Sequence, residues 1–218
     1  MGEADGISAI AALDEPTRRR LYEYVVRQPE PVSRDEAADA VQAPRNTVSF
    51  HLEKLVEGGL LEAVYQRRTG RSGPGAGRPA KLYRRAPGQI AVSLPDRRYE
   101  TAAHLLADAL QESEATGEAP RTVLDRRARD LGRALGRDAT AGVMPTLEAL
   151  GFEPRACDGA IALANCPFRS LAERHTALVC GMNLSLVAGL LEGLPEPGFA
   201  ARLEPSQEHC CVCLRPAG

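Results

Sequence analysis

Apolar residues recur with a helical period between residues 45 and 57. Val48, Leu52 and Leu55 stand at i, i+4 and i+7, which places them on one stripe of a helix. The pattern predicts an amphipathic helix that buries this stripe and exposes the opposite face. That face carries polar side chains, namely Arg45, Asn46, Ser49, Glu53 and Lys54, with Thr47 and His51 at its edges.

A shorter helix is predicted directly before it, over residues 33–41. Ser33 is followed three residues later by Glu36, so that hydroxyl and carboxylate can each bind an unpaired amide at the helix start. A tight link at residues 42–44 joins the two helices, and Gly58-Gly59 ends the second one. Two helices at this spacing are typical of a helix-turn-helix.

A β-hairpin is predicted after the second helix. Residues 60–65 pair back with residues 81–85 around a tip rich in glycine and arginine. Residues 64–85 include seven basic and no acidic side chains, although the whole chain has a net charge of −2. The two helices and this hairpin together predict a winged helix-turn-helix, in which the wing lies along phosphates or enters the minor groove of DNA.

The candidate DNA contacts come from both parts of this domain. Side chains on the second helix can reach base edges in the major groove, and basic side chains of the wing can neutralise phosphates. Arg78 lies in an extended Gly-Arg-Pro segment of the kind that enters the minor groove. The candidates are Arg45, Asn46, Thr47, Ser49, His51, Lys54, Arg67, Arg68, Arg71, Arg78 and Lys81.

Two longer helices with apolar stripes follow a linker. Residues 96–114 and 121–137 show a spacing that is typical either of an intrachain core or of a dimer seam. We favour a seam on the first of them, because a regulator of this size must pair to read two half-sites. Next come a helix at 140–150, a hairpin at 152–164 turning at Asp158-Gly159, helices at 168–179 and 182–194, and a hairpin that pairs 199–203 with 210–214.

These elements predict an α+β chain in three parts. They are a winged helix-turn-helix DNA-binding domain (1–90), a helical linker and dimerisation region (91–137) and a small α+β cysteine-bearing sensor domain (138–218). No apolar run approaches the length needed to cross a bilayer, and the acidic N-terminus lacks a signal-peptide pattern. We therefore expect a cytoplasmic protein that does not bind membranes.

All the cysteines lie in the last part, at Cys157, Cys166, Cys180, Cys210, Cys211 and Cys213. Disulfides are rare in the cytoplasm, so metal binding or redox chemistry is the hypothesis to test. Cys166 precedes a predicted helix, whose dipole would lower the pKa of its thiol. Cys211 and Cys213 share one face of the predicted last strand and Cys210 the other, so that one face offers at most two thiols to one site.

The spacing of these cysteines limits how they can meet. If residues 168–194 form one straight helix, Cys166 and Cys180 stand about 21 Å apart, at about 1.5 Å per residue. A turn at Cys180-Gly181, or ligands from two subunits, is then needed to bring them to one cofactor. Alternatively, several cysteines are small buried hydrophobes, and Cys157 beside the Asp158-Gly159 turn is the first candidate for a bystander.

The sequence resembles two groups of bacterial regulators. The segment Ala-Leu-Asp-Glu-Pro-Thr-Arg-Arg-Arg-Leu at residues 12–21 is similar to the opening of arsenic-repressor-like and DeoR-like winged-helix regulators. Gly-Arg-Pro-Ala-Lys-Leu-Tyr at 77–83, Asn-Cys-Pro-Phe at 165–168, Leu-Val-Cys-Gly-Met-Asn at 178–183 and Cys-Cys-Val at 210–212 resemble the repressors of the Suf iron–sulfur-assembly operons and their actinobacterial relatives. The likeness covers most of the chain.

This second resemblance implies a homodimeric repressor that binds double-stranded operator DNA and holds an iron–sulfur cluster, of the 4Fe-4S type, through three spaced cysteines. Cys166, Cys180 and one of Cys210 or Cys211 match that pattern, and His175 is a further candidate ligand. The fourth ligand stays open. The stretch from Cys180 to Cys213 also resembles small four-vinyl-reductase-type domains, whose cysteines are thought to bind a metal or a hydrophobic ligand.

The predicted function is therefore sequence-specific DNA binding, regulated by iron–sulfur or redox status. One alternative gives the C-terminal domain a structural zinc ion, and another gives it an apolar small-molecule effector. A third makes the chain a metal-dependent enzyme or a metallochaperone that uses the same cysteines. Because the sequence contains no recognisable nucleophile–base motif, phosphate loop or carboxylate pair, we expect that it is not an enzyme.

Overall fold

The computed structural model describes residues 3–66, 79–195, 198–205 and 209–217. The chain divides into two compact units, Met1–Val92 and Ser93–Gly218. Four of the predicted DNA-binding residues lie outside the described ranges and stay predictions: Arg67, Arg68, Arg71 and Arg78.

The first unit contains α1 (Glu3–Ala12), α2 (Pro16–Val26), β1 (Val32–Ser33), α3 (Arg34–Val41), α4 (Arg45–Glu57), β2 (Leu61–Gln66) and β3 (Ala80–Arg85). The predicted helix pair and hairpin are confirmed, and Tyr65 of β2 stands opposite Lys81 of β3. The sheet has a third strand, with the order β1-β3-β2. Sequence pattern did not predict β1, because two residues are too few to show an alternation.

Side-chain caps start the helices of this unit. Ser33 and Glu36 form the predicted capping box, in which the Ser33 amide donates to the Glu36 carboxylate at 2.8 Å. Glu15 caps α2 by accepting from the amides of Thr17 at 3.1 Å and Arg18 at 2.6 Å. These bonds satisfy amides that a helix leaves unpaired in its first turn.

The core of the first unit lies between α4, α2 and the sheet. The predicted stripe on α4 is fully buried, and it belongs to one cluster with residues of α2 and β2. Among the largest buried side chains are Leu21, Val48, Leu52, Leu55 and Leu61. Burying α4 on this side leaves its opposite face directed to solvent.

The second unit contains α5 (Tyr99–Thr116), α6 (Pro120–Asp138), α7 (Val143–Ala149), β4 (Pro154–Cys157), β5 (Ala160–Leu163), α8 (Arg169–Arg174), α9 (Thr176–Gly193), β6 (Phe199–Leu203) and β7 (Val212–Pro216). The strands form an antiparallel sheet in the order β4-β5-β7-β6. β4 and β5 turn at Asp158 and Gly159, both of which have a left-handed backbone. The apolar side of this sheet packs with the helices in a single core.

The helical region predicted for residues 91–137 is not separate from the second unit. Ala102, Leu105 and Ala109 of α5 and Leu124 and Ala128 of α6 are buried in the same core as the sheet. These stripes are therefore intrachain core. The chain has two compact units where three parts were predicted, and the dimer seam predicted on the helix at residues 96–114 stays a prediction.

The turn predicted at Cys180-Gly181 lies five residues earlier, at His175. The backbone of His175, with φ −131° and ψ 46°, leaves the helical region and separates α8 from α9. The Thr176 hydroxyl donates to the Ala172 carbonyl at 2.7 Å, and an uninterrupted helix would offer that oxygen to the Thr176 amide. Cys180 consequently lies in the second turn of α9.

Helices α6 and α9 cross in direct backbone contact. A Cβ atom added at Gly132, Gly136, Gly189 or Gly193 would lie less than 3.0 Å from backbone atoms of the other helix. The four glycines stand four residues apart in pairs, so each pair occupies one face of its helix. Any residue larger than glycine at these four positions would therefore force the two helices apart.

Helix α9 also bears on the membrane expectation. Among the described helices, Thr176–Gly193 alone is long and apolar enough to span a bilayer by length and composition, with a mean hydropathy of 1.4. This differs from the expectation that no apolar run approaches that length. Half of this window is buried inside the second unit, and core helices of soluble proteins have the same composition.

Candidate functional site

Four thiols meet in the second unit. Cys166, Cys180, Cys210 and Cys211 line one cavity of about 190 Å³. These are the four cysteines predicted as ligands. The remaining lining residues are Arg169, Ala172, Glu173, Thr176, Pro205 and His209.

Three separate segments supply the thiols. Cys166 precedes α8, Cys180 lies in α9, and Cys210 and Cys211 come directly before β7. The sequence predicted a strand that begins at Cys210 and gives at most two thiols to one face. Because β7 begins only at Val212, the alternation of a strand does not apply, and both Cys210 and Cys211 reach the cavity.

The other two cysteines lie elsewhere. Cys157 is exposed on β4, next to the turn that joins this strand to β5. Cys213 is buried on β7, where its neighbours are the charged side chains of Glu204 and Arg215. Both are therefore suitable control positions for experiments on the four-thiol cavity.

Hydrogen bonds hold the Cys166 segment in place. The buried Asn165 donates from Nδ2 to the carbonyl oxygens of Asp96 at 3.0 Å and Gly151 at 2.7 Å. Arg97 donates to the side-chain oxygen of Asn165, and at 3.1 Å to the carbonyl oxygen of Cys166. The thiol of Cys166 is therefore presented from a loop with little freedom to move.

The four thiols lie close enough to influence one another. Cys166 interacts with Cys210, Cys210 with Cys211, and Cys211 with Cys180. The neighbouring Cys210 thiol and burial together raise the pKa of Cys166 far above its usual value, and burial raises the pKa of Cys180. The prediction of a lowered pKa at Cys166 is wrong: α8 has only six residues, and its short dipole is outweighed.

Cys210 is the most enclosed of the four. The neighbouring Cys166 thiol lowers the pKa of Cys210, but the Cys211 thiol and burial outweigh this and raise the pKa to about 12. Asn183, 1% exposed on α9, donates from Nδ2 to the Cys210 sulfur at 3.3 Å. The Asn183 side-chain oxygen has no hydrogen-bond partner within the described ranges. No role was predicted for Asn183, which lies among mostly apolar residues of α9.

The donor set decides what this cavity can bind. Thiolates are ligands for soft metal centres, and binding requires that the thiols lose their protons. In the part of the chain that the structure describes, no three Cys, His, Asp or Glu side chains are arranged to hold a metal ion. The predicted ligand His175 is exposed and does not line the cavity, whereas His209 does.

The exposed face of α4 is the candidate site of the first unit. Arg45, Asn46, Thr47 and Lys54 are exposed and Ser49 is half-buried, as expected for residues that face a partner. Arg45 lies 3.4 Å from the Asp35 carboxylate, and Lys54 lies 2.6 Å from that of Glu57. Both cations stay accessible at the surface.

Phe50 lies at the centre of the same face and is 57% exposed. Among the residues predicted for α4, Phe50 was placed neither on the buried stripe nor on the polar face. The signal was present, because Phe50 stands four residues after Asn46 and four before Lys54 and therefore shares their side of the helix.

Comparisons with known proteins agree with this geometry. Residues 13–64 match the family model described as a helix-turn-helix domain. The first unit carries a helix-turn-helix DNA-binding domain. The match extends from just before α2 into β2, so β3 and the second unit lie outside it. Searches of curated proteins and of solved structures gave no significant match.

His51 must be removed from the predicted contacts of the helix-turn-helix domain. It is 9% exposed, because it stands three residues after Val48 and four before Leu55, on the inner side of α4. Its Nε2 lies 3.5 Å from the carboxylate of Glu15, which caps α2. His51 therefore joins α4 to α2 and does not face DNA.

Lys81 also has a partner inside the helix-turn-helix domain. Its Nζ lies 2.6 Å from Oε1 and 2.7 Å from Oε2 of Glu53 on α4, and the Tyr83 hydroxyl donates to the same carboxylate at 2.7 Å. These bonds connect the wing strand β3 to α4. In this structure Lys81 therefore holds β3 against α4.

The described wing is less basic than its sequence suggests. Arg84 donates to Glu62, its cross-strand partner on β2, at 2.6 Å. With Lys81 bound to Glu53, two of the basic side chains on β3 have acidic partners. The predicted positive charge of the wing therefore depends largely on the arginines between residues 67 and 78, which lie outside the described ranges.

Proposed function

We propose that this chain is a cytoplasmic, homodimeric transcriptional repressor that binds a specific operator sequence and senses iron–sulfur or redox status. Its helix-turn-helix domain supplies DNA binding. Its second unit supplies sensing through an iron–sulfur cluster and has no enzymatic role.

The meeting of four thiols from three segments supports the sensing role. Three segments that are distant in sequence meet at one cavity. They supply Cys166, Cys180 and the pair Cys210-Cys211. A cofactor bound there joins a loop, a helix and the start of a strand. Its loss frees all three elements together, which is how a local change of ligand can alter a distant surface.

The donor set present suits an iron–sulfur cluster. All-cysteine ligation is the usual kind for such clusters, and the four thiols provide it without a histidine. Four cysteine thiolates can also hold a zinc ion, so metal and sulfide analysis has to distinguish the two. When bound, a cluster would supply one-electron redox chemistry, and the four cysteines would hold it.

Iron and acid-labile sulfide in anaerobically purified protein test the cofactor. We expect both, together with visible absorption, and we expect serine at position 166, 180, 210 or 211 to lower the iron content severalfold. Cys157→Ser and Cys213→Ser are the matched controls and should keep it. Colourless protein that binds neither iron nor sulfide after anaerobic reconstitution would contradict the proposal.

Operator affinity tests the sensing step. We expect cluster-bound protein to bind DNA more tightly than apo-protein, so that oxidation or iron loss releases the operator. This sign follows the resemblance to the Suf-operon repressors. Light scattering of the same samples checks the expected homodimer. If apo-protein and holo-protein bind the operator equally, the cluster is structural and sensing is excluded.

An apolar effector is the second candidate. A cavity of about 540 Å³ in the second unit is lined mainly by small and apolar residues, among them Val143, Met144, Ile161 and Phe199. Its size falls in the range of small-molecule sites. Native mass spectrometry of protein purified without detergent separates the candidates, because a retained organic ligand favours the effector, retained zinc favours a structural ion, and iron with sulfide favours the cluster.

A further inference from the structure

Phe50 is an apolar side chain in a position that the fold of the first unit does not require. It lies on the side of α4 opposite the buried stripe and is 57% exposed. Its ring meets the edge of His51, with the ring centroids 5.4 Å apart, and otherwise faces outward. An exposed benzyl group of this size forgoes the stabilisation that burial would give it.

The neighbours of Phe50 are those of a DNA-reading surface. Asn46 and Lys54 lie one turn before and one turn after it, and the Lys54 ammonium stands 6.0 Å from the ring centroid. Asparagine can pair with adenine through two hydrogen bonds, and lysine can bind guanine or phosphate. Between these two polar groups the ring forms an apolar spot.

Base edges in the major groove offer one apolar group, the 5-methyl group of thymine. The other groups by which the bases are distinguished there are hydrogen-bond donors and acceptors, which a phenyl ring cannot satisfy, and the C5–H of cytosine offers less apolar surface than a methyl group. We propose that Phe50 recognises a thymine methyl group, so that each operator half-site has a T·A pair facing Phe50, next to the base read by Asn46.

This inference rests on the proposed operator binding and adds a specificity-determining residue to it. It commits the exposed ring to DNA and not to another protein. Phe50 can be changed with little risk to the fold, because its side chain is outside the core cluster of the unit.

The test uses operator DNA selected by the full-length protein from a random library. Each thymine of a half-site is then replaced in turn by deoxyuridine, which removes only the methyl group. We expect one position at which wild-type affinity falls about fourfold, as for one buried methyl group. Phe50→Ala should bind the thymine operator more weakly and should no longer distinguish thymine from uracil there.

Two variants serve as matched controls. Phe50→Leu keeps an apolar surface and should keep most of the discrimination. Asn46→Ala should lose preference at a different base and still distinguish thymine from uracil. Circular dichroism should show that all three variants are folded.

Two results would overturn the inference. The first is a thymine-to-uracil ratio that is the same for Phe50→Ala and wild type at every position. The second is a wild-type protein that selects sequences without any methyl-sensitive thymine. A protein that binds every DNA sequence equally is a third, separate result, and it rejects the proposed operator recognition as a whole.

Discussion

The two units arrange their candidate functional residues in opposite ways. In the first unit the candidates on the exposed side of α4 share one helix and face outward, so their positions follow from helical spacing alone. In the second unit they come from three segments and face inward, so their meeting depends on how the whole unit folds. A site on one element can be derived from sequence, whereas a site assembled from distant segments needs the tertiary structure.

The crossing of α6 and α9 offers the strongest test of this contrast. Gly189→Ala places a Cβ less than 3.0 Å from the backbone of Arg129, so the helices must separate. We expect a loss of about 3 kcal/mol in the free energy of unfolding. Gly142→Ala is the control, since its added Cβ meets no atom within 4 Å. Equal denaturation midpoints for the two variants would show that the crossing is looser than described.

His51 separates stability from recognition within α4. Because His51 is buried against the cap of α2, His51→Ala should lower the stability by about 2 kcal/mol and leave base preference unchanged. Asn46→Ala is the matched change on the exposed face. It should keep the stability within about 0.5 kcal/mol and alter base preference instead. Urea titration and competition binding measure the two effects, and the opposite outcome would move His51 back to the DNA-contacting surface.

The bond between α4 and the wing has a smaller and pH-dependent effect. Hydrogen bonds from Lys81 and Tyr83 hold the pKa of Glu53 below its ordinary value of 4.5. Such a group stabilises the fold above its unfolded pKa, and the stabilisation is lost as the pH falls through the lower, folded pKa. Glu53→Gln should therefore lose about 0.5 kcal/mol at neutral pH, since solvent screens a partly exposed pair.

The check on Glu53 is a stability curve from neutral to acidic pH. The gap between wild type and Glu53→Gln should narrow as the pH falls below 4.5. A gap that stays constant over that range would mean that the carboxylate charge makes no contribution to the bond between α4 and β3.

Asn183 should matter little for stability and should act on the cofactor instead. Its only hydrogen bond within the described ranges goes to a weak sulfur acceptor, and its oxygen is buried without a partner. Replacing such a group by leucine is close to neutral, within about 1 kcal/mol. In cluster-loaded protein, however, Asn183→Leu should make the reduction potential more negative, because hydrogen bonds to ligand sulfur favour the reduced state. A potential equal to that of wild type would exclude this role.

The first unit could be predicted almost completely from local signals. The capping box at Ser33, the stripe at Val48, Leu52 and Leu55 and the stop at Gly58-Gly59 are all encoded within one turn of the residues they affect. The error at His51 has a simple origin: a polar side chain was assigned to the surface, although its position on the helix is between two buried residues. Phe50 was missed because an apolar side chain is not expected on the exposed side of a helix, although its spacing from Asn46 and Lys54 places it there.

The second unit was predictable in its elements and not in their assembly. The hairpin at Asp158-Gly159 follows from a local signal, whereas the break at His175, next to the side-chain bond from Thr176 to Ala172, matches no turn signal in the sequence. Strand β7 begins at Val212, where its pairing with β6 begins. No residue of β7 indicates by itself where that pairing starts. These two shifts decide which thiols meet, so cysteine spacing alone was not enough to predict the cavity.

The hydrogen bonds that Lys81 and Tyr83 make with Glu53 have a consequence for the operator. These bonds, together with the pairing of β3 to β1 and β2, hold the strands of the wing beside α4. The distance along the duplex between the bases that meet α4 and the backbone that meets the wing is then set by the protein. A half-site lengthened by one base pair between those two contacts cannot satisfy both, whereas the same insertion outside them leaves the half-site intact.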